Sequence, residues 1–445
     1  MQSSERALQN RLQLPWPFLA GIIAILILPL FSQFPYFAPP AWGQALFFRS
    51  IVAVLLFFAL AWLLQKGAER VISRTDPARA PILALLAYAG VLFLALFTSL
   101  DPHFSFWGTP YRAWGLLTYA FYILFALGLY LFLRPQQWNS IWNTLFATGT
   151  AAVLIGIGQQ FGLFADSLVS SESRPYATFG NTIFFAIFLS VLLPFAIVWF
   201  LKAKGWWKIA YGALSLLFLY AILITETRGV FLGVAAGALF FVLFYPAPMR
   251  LLKKVALPLF ALAFLLLILV NTVQPPAFVE QTLLFSRLWD RLSLEQIWET
   301  EPRFGAWPYA ISAIQEKPLL GYGPYNSSIP FNTHFDSASS RFEGRTTGWW
   351  DTFHNYYLDI AIGAGLLGLF AFFAFIGLLW RGLQRAKKSA QHKTALLDIH
   401  AAQTALLVYL VAMIFSFNSF GTYLVFFVLV GYSFFLIAYA PQNSR

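Results

Sequence analysis

The chain has 445 residues, of which 59% are hydrophobic, 19% aromatic and only 11% charged, with a formal net charge of +11. This composition excludes a soluble globular domain and indicates a polytopic membrane protein. The lack of cysteine excludes disulfides and thiolate metal sites, and the five histidines show no metal-ligand spacing, so neither a metal nor another cofactor is expected.

A membrane-spanning helix needs about 20 mostly apolar residues. Twelve stretches qualify, at about 17–33, 45–64, 80–98, 113–133, 141–164, 181–201, 206–225, 229–245, 252–273, 353–380, 395–417 and 420–440. The expected fold is therefore all-α, with about twelve transmembrane helices. The first stretch, from Pro15 to Phe34, has no small-residue cleavage pattern and reads as a retained span. The pairs 206–225 with 229–245 and 395–417 with 420–440 are joined by very short turns, which predicts two tight helical hairpins. One long loop, Gln274 to Thr352, divides the chain into spans 1–9 (residues 1–273), the loop (274–352) and spans 10–12 (353–445).

Short cytoplasmic loops are enriched in Lys and Arg. A cytoplasmic amino terminus puts 19 of the 29 basic residues on the inner side and 14 of the 18 acidic residues on the outer side. The positive net charge is thus an orientation signal, with both termini cytoplasmic and the long loop outside, and it does not indicate nucleic acid. Nine of the ten outer cations are arginine. Guanidinium is a planar fork that matches phosphate oxygens, whereas lysine is a hydrated point charge.

Carriers place ionisable groups or broken helices near the bilayer centre, and most spans here have no charge in their middle. The exceptions are Gln159 and Gln160 in the fifth span, Asp359 in the tenth, and Asp398 with His400 in the eleventh. Hydrogen bonding between helices is the ordinary role of such groups.

The long outer loop carries helical patterns of its own. Apolar residues from Phe278 to Trp298, interleaved with Arg287, Asp290, Arg291 and Glu295, predict an interfacial amphipathic helix. A second helix is predicted from Glu301 and Pro302 to Lys317-Pro318, with Arg303 in its first turn. Gly321-Tyr322-Gly323-Pro324 reads as a turn and not as a nucleotide fingerprint, since no strand precedes it. Residues 332–348 have a composition suited to a lid over a site.

The next span is expected to start with Asp351, His354 and Asn355 in its first turn, where three- and four-residue spacings bring side chains together. There Asp351 would raise the His354 pKa and fix its tautomer, giving a base poised near neutral pH, with Asn355 also orienting it. Gly363, Gly365 and Gly368 thin the following helix and permit close approach of a neighbour. The outer aromatics, Tyr322 among them, are suited to sugar stacking but belong equally in a membrane interface.

Three motifs in this order resemble the O-antigen ligase and O-antigen polymerase family of membrane glycosyltransferases. They are Thr225-Glu226-Thr227-Arg228-Gly229, the Arg303 helix leading to Gly321-Tyr322-Gly323, and His354-Asn355 before a glycine-bearing helix. The resemblance covers about Leu214 to Leu369. It implies a metal-independent, inverting transfer of a glycan from undecaprenyl diphosphate to an acceptor hydroxyl at the outer face of the cytoplasmic membrane. The acceptor would be a glycolipid, a glycan or a protein. The family's functional positions match Arg228, Arg303 and His354, and Arg174, Arg341, Arg345 and Tyr322 are second-rank phosphate or glycan contacts suggested by position. A repeat-unit polymerase of the same family, and a non-enzymatic lipid-linked glycan flippase or export scaffold, are the alternatives.

Overall fold

The computed structural model describes residues 16–31, 40–66, 75–109, 112, 114–163, 174–246, 250–277, 281, 289, 293, 302–335 and 350–439. Every regular element among them is helical. Nine of these helices are long and apolar enough to cross a membrane, and three shorter apolar helices complete the twelve anticipated stretches. Backbone groups in hydrocarbon have no water to bond, so each apolar run satisfies itself as a helix.

In chain order the elements are α1 (Trp16–Ile27, continued by a 3-10 turn), α2 (Pro40–Lys66), α3 (Arg79–Phe97), short α4 (Pro102–Trp107), α5 (Leu116–Phe132), α6 (Gln137–Gln160), α7 (Thr182–Lys202), α8 (Trp206–Ile224), α9 (Arg228–Leu243) and α10 (Arg250–Thr272). Then come α11 (Pro302–Glu316), α12 (Ser328–His334), α13 (Tyr356–Ser389), α14 (Lys393–Ala412) and α15 (Phe420–Tyr439). The proposed amphipathic helix at 278–298 and the lid-like stretch with Arg341 and Arg345 fall outside or almost wholly outside the described residues.

α15 is the centre of the bundle. Its residues are buried along the whole helix, and it packs on α5, α7, α13 and α14. The contacts are aromatic: Tyr122 stacks on Phe427 at 5.4 Å and Tyr409 on Phe426 at 4.5 Å. Such ring packing supplies the cohesion that lipid, as apolar as the side chains, does not provide by exclusion.

Three of the polar groups anticipated inside the spans, Asp398, His400 and Gln159, are bonded from segment to segment. Lys202 Nζ meets the two Asp398 carboxylate oxygens at 2.7 and 2.8 Å, joining α7 to α14. His400 Nε2 lies 2.9 Å from the Phe241 carbonyl and its Nδ1 3.1 Å from Lys387 Nζ. Gln159 accepts from the Tyr176 and Ala177 amides, fixing the turn before α7.

α13 is broken at Gly365, where φ is +67° and ψ is −174°. The segment Pro318–Gly323 docks into the break. Leu366 N donates to Pro318 O at 2.7 Å, and Tyr322 N donates to Ile362 O at 2.7 Å. Backbone groups freed by the kink are therefore satisfied by protein, the condition under which irregular backbone is tolerated at membrane depth. Gly363 and Gly365 do permit a close approach, and the neighbour is this loop: a Cβ at Gly365 would sit 2.0 Å from Leu319 O, whereas one at Gly368 would meet only Ala364 and Ile360 of the same helix. The far side of the loop is fastened to the α3–α4 turn, with Leu100 N donating to Tyr322 O and Ser105 Oγ to Pro324 O.

Candidate active site

Helix α13 starts two residues beyond His354, at Tyr356. Asn355 is its N-cap, with extended backbone and a side-chain oxygen accepting from the Tyr357 and Leu358 amides. A cap of this kind satisfies two of the donors a helix start leaves over. The expected grouping of Asp351, His354 and Asn355 within one helical turn is thus corrected: residues 351–355 precede the helix, and Asn355 orients the helix and not the imidazole. His354 itself has φ +51°. A non-glycine residue in the left-handed region persists only where its surroundings over-determine it, and such residues cluster at functional sites.

Those surroundings are specific. His354 Nδ1 lies 3.2 Å from the Thr352 carbonyl, to which Nδ1–H donates. That bond selects the tautomer with the lone pair on Nε2. The ring is held between Trp350, at 4.5 Å, and Phe417, at 4.9 Å and nearly perpendicular.

Phe417 belongs to the short α14–α15 connection, and two residues earlier the same strip anchors Arg303. Arg303 Nη1 donates to the Phe415 carbonyl at 2.7 Å. Trp307, one turn along α11, faces the Phe415 ring at 6.2 Å and donates Nε1–H to Phe353 O at 3.2 Å. From the other side, the α8–α9 hairpin closes on Phe415: a Cβ at Gly229 would lie 2.7 Å from the Phe415 Cβ. Arg228 is the first residue of α9 and its side chain is exposed. Three elements far apart in sequence, carrying Arg228, Arg303 and His354, therefore meet on residues 415–417.

A second arginine reaches the histidine. Arg112 donates Nε–H to Asp351 Oδ2 at 2.7 Å and an Nη2–H to Asp351 Oδ1 at 2.9 Å, and its guanidinium covers the Phe417 ring at 4.6 Å. Asp351 is therefore engaged by Arg112, and its carboxylate is not the group bonded to the imidazole, which corrects the orienting role expected of it. The direction of the histidine's titration changes with it. Burial, then the Arg303 charge, and more weakly Arg112, lower the His354 pKa from 6.5 to about 4, against a smaller raising effect from the Thr352 carbonyl and Asp351. At neutral pH the imidazole is uncharged, with Nε2 able to accept a proton.

The other expected contacts divide. Tyr322 is buried, donates its hydroxyl to Glu316 at 2.5 Å and lies under Lys317, so it locks the docked loop. Arg174 stands in the turn before α7 that Gln159 secures. Arg341 and Arg345 lie outside the described residues. Arg112 and residues 415–417 were missed as site residues. Arg112 was visible only as one of the outer arginines, and the Ser416, Asn418 and Ser419 run between two apolar spans was the one hint of the other.

Residues 212–373 match the family model described as O-antigen ligase. This segment, less than half of the chain, is similar to the O-antigen ligase family. The family segment contains Arg228, Arg303, His354, the docked loop and the break in α13, whereas Arg112 and residues 415–417 come from outside it. No curated protein matches the chain.

Proposed function

We propose that the chain is an inverting, metal-independent glycosyltransferase, transferring a glycan from undecaprenyl diphosphate to an acceptor hydroxyl at the outer face of the cytoplasmic membrane. The observation that carries this reading is the strip 415–417, on which Arg303 and His354 are both held and against which the Arg228–Gly229 turn packs.

In this reading Arg228 and Arg303 grip the diphosphate. Anchoring one arm of Arg303 on a carbonyl fixes the plane of the fork before substrate arrives, and preorganised donors aimed at growing charge contribute most to such a reaction. His354 Nε2 takes the proton of the acceptor hydroxyl, and the oxygen attacks the anomeric carbon. The bond from that carbon to the diphosphate oxygen breaks, and the electron pair leaves on undecaprenyl diphosphate. One displacement inverts the anomeric centre. Arg174, Arg341 and Arg345 are proposed contacts to glycan or phosphate. The acceptor is a glycolipid, a glycan or a protein in a ligase, and another carrier-linked repeat unit in a polymerase. The distribution of basic residues supports cytoplasmic termini and an outward-facing site.

The test incubates the purified protein in lipid with an undecaprenyl diphosphate-linked glycan and candidate acceptors, beside His354→Ala. Product from the wild type alone is expected. Equal product from both proteins overturns the assignment of the base, and products that lengthen on the carrier-linked donor alone identify polymerisation.

A further inference from the structure

Beneath the rim, between α13 and the docked loop, lies a cavity of about 60 Å³. Five tyrosines line it: Tyr88, Tyr119, Tyr325, Tyr356 and Tyr423. Their rings are packed together, Tyr119 lying 6.1 Å from Tyr88 and 5.7 Å from Tyr423, and Tyr356 6.3 Å from Tyr423. Trp114, stacked on Tyr325 at 5.9 Å, adds an indole face. The strip that carries Arg303 and His354 also contributes to this wall through Phe417 and Asn418, and Thr352, bonded to the His354 ring, is another part of it.

Two polar atoms on this lining are buried without partners. Asp359 Oδ1 accepts from the Phe353 amide at 3.1 Å, but its Oδ2 has no partner. The Ser327 hydroxyl faces the same carboxylate, yet outside hydrogen-bond geometry with Oδ2. Asn418 Oδ1 accepts from Tyr409 and Thr422, while its Nδ2 donates to nothing. Buried polar groups are almost always paired, so each orphan calls for an explanation. Here one orphan is an acceptor and the other a donor, on one cavity with aromatic walls.

We infer that this cavity is a seat for one sugar ring of the acceptor. A hydroxyl both donates and accepts, and so satisfies Asp359 Oδ2 and Asn418 Nδ2 together. The C–H faces of a pyranose suit tyrosine and tryptophan rings. The described lining of this seat holds no arginine or lysine, which separates it from the arginines that face the donor. The volume equals room for roughly four to six waters, on the order of a single sugar ring and too little for a chain. A ring seated there shares the Thr352 and Phe417 walls with His354. The inference rests on the glycosyl-transfer reading for the word acceptor, but the sugar seat itself is testable without turnover.

The test measures binding of a panel of methyl hexosides to the full-length protein in detergent by saturation-transfer NMR. It compares wild type with Asp359→Asn, Tyr325→Phe and Gly377→Ala, each first checked for a monodisperse elution profile. Wild type is expected to bind at least one hexoside saturably. Asp359→Asn should weaken that binding about tenfold or more, as expected when an amide donor replaces a buried acceptor and the bond it would accept goes unmade. Tyr325→Phe, which keeps the ring on Trp114, should weaken it in the same direction and serves as the test if Asp359→Asn does not fold. Gly377→Ala, remote from the cavity, should bind hexoside as the wild type does, and undecaprenyl diphosphate binding should be the same in all four. Hexoside binding that is absent from the wild type, or unchanged by both pocket substitutions, overturns the inference even if glycan transfer is observed. Asp359-dependent hexoside binding in a protein that transfers nothing leaves the seat standing and removes the transferase reading instead.

Discussion

Arg112 holds Asp351 through two hydrogen bonds across 239 residues of sequence, and the pair packs against the same Phe417 ring that supports His354. The pair is partly exposed, so its own contribution to stability is modest. Its consequence for chemistry is electrostatic: the carboxylate that would stabilise an imidazolium is neutralised, and a second cation stands near the ring.

Arg112→Gln removes that cation and releases Asp351, and both changes raise the His354 pKa from about 4 toward its ordinary 6.5. A general base works only when deprotonated. As pH falls, a base of higher pKa protonates sooner, so the acid limb of kcat/KM should move to higher pH in this variant. Initial rates across pH 4 to 8 in buffers of constant ionic strength check it. A limb that stays where the wild type has it would mean that Arg112 does not act on the histidine.

His354→Ala should lower kcat by about 10² to 10⁴, the range for loss of a general base. The wild-type profile carries a second signature. The acid limb of kcat/KM reports the free enzyme and should lie near the depressed value of about 4. The limb of kcat reports the donor complex, where a bound diphosphate offsets the Arg303 charge, and should lie at higher pH. Coincident limbs would argue that the diphosphate does not bind beside Arg303.

Arg303 offers a way to separate charge from geometry. Arg303→Lys keeps the cation near His354, so the acid limb should hold its position, but lysine loses the planar fork set on the Phe415 carbonyl. A loss of about 10² to 10³ in kcat is expected, as for removal of one aimed donor. Arg303→Gln should lose as much and also move the limb upward. If lysine restores full activity, the fork is not what the site uses.

The twelve spans were legible because hydrocarbon leaves an apolar run of about 20 residues little choice but a helix. The Arg228 turn, the Pro302 start of α11 and the glycines of α13 were legible because each is a local signal. The arrangement around His354 was not. Helical spacing was extended back through residues 351–355, whereas Asn355 caps the helix and turns those residues out of it. The partner of Asp351 lay 239 residues away. The group that fixes Arg303 is a backbone carbonyl, which no residue type announces. The glycines of α13 signalled a close approach, but not that a loop rather than a helix would fill it.

The docked loop provides the sharpest stability prediction. The backbone at Gly365 occupies a region essentially reserved for glycine, so Gly365→Ala costs about 1–3 kcal/mol in conformation alone. The added methyl would also meet Leu319 O at 2.0 Å, forcing the loop back and unpairing Leu366 N and Ile362 O from their partners. Each unpaired buried group adds about 1–3 kcal/mol. Gly377, in the same helix with nothing within 4 Å of an added Cβ, is the control. Gly377→Ala should be neutral or raise the midpoint, since alanine is the better helix former by about 1 kcal/mol. Thermal unfolding of both variants in detergent should therefore diverge, with Gly365→Ala well below the wild type. Because Gly363 and Ala364 line the tyrosine cavity, hexoside binding should fall along with stability only in Gly365→Ala. Equal midpoints for the two variants would mean that the loop does not depend on the break in α13.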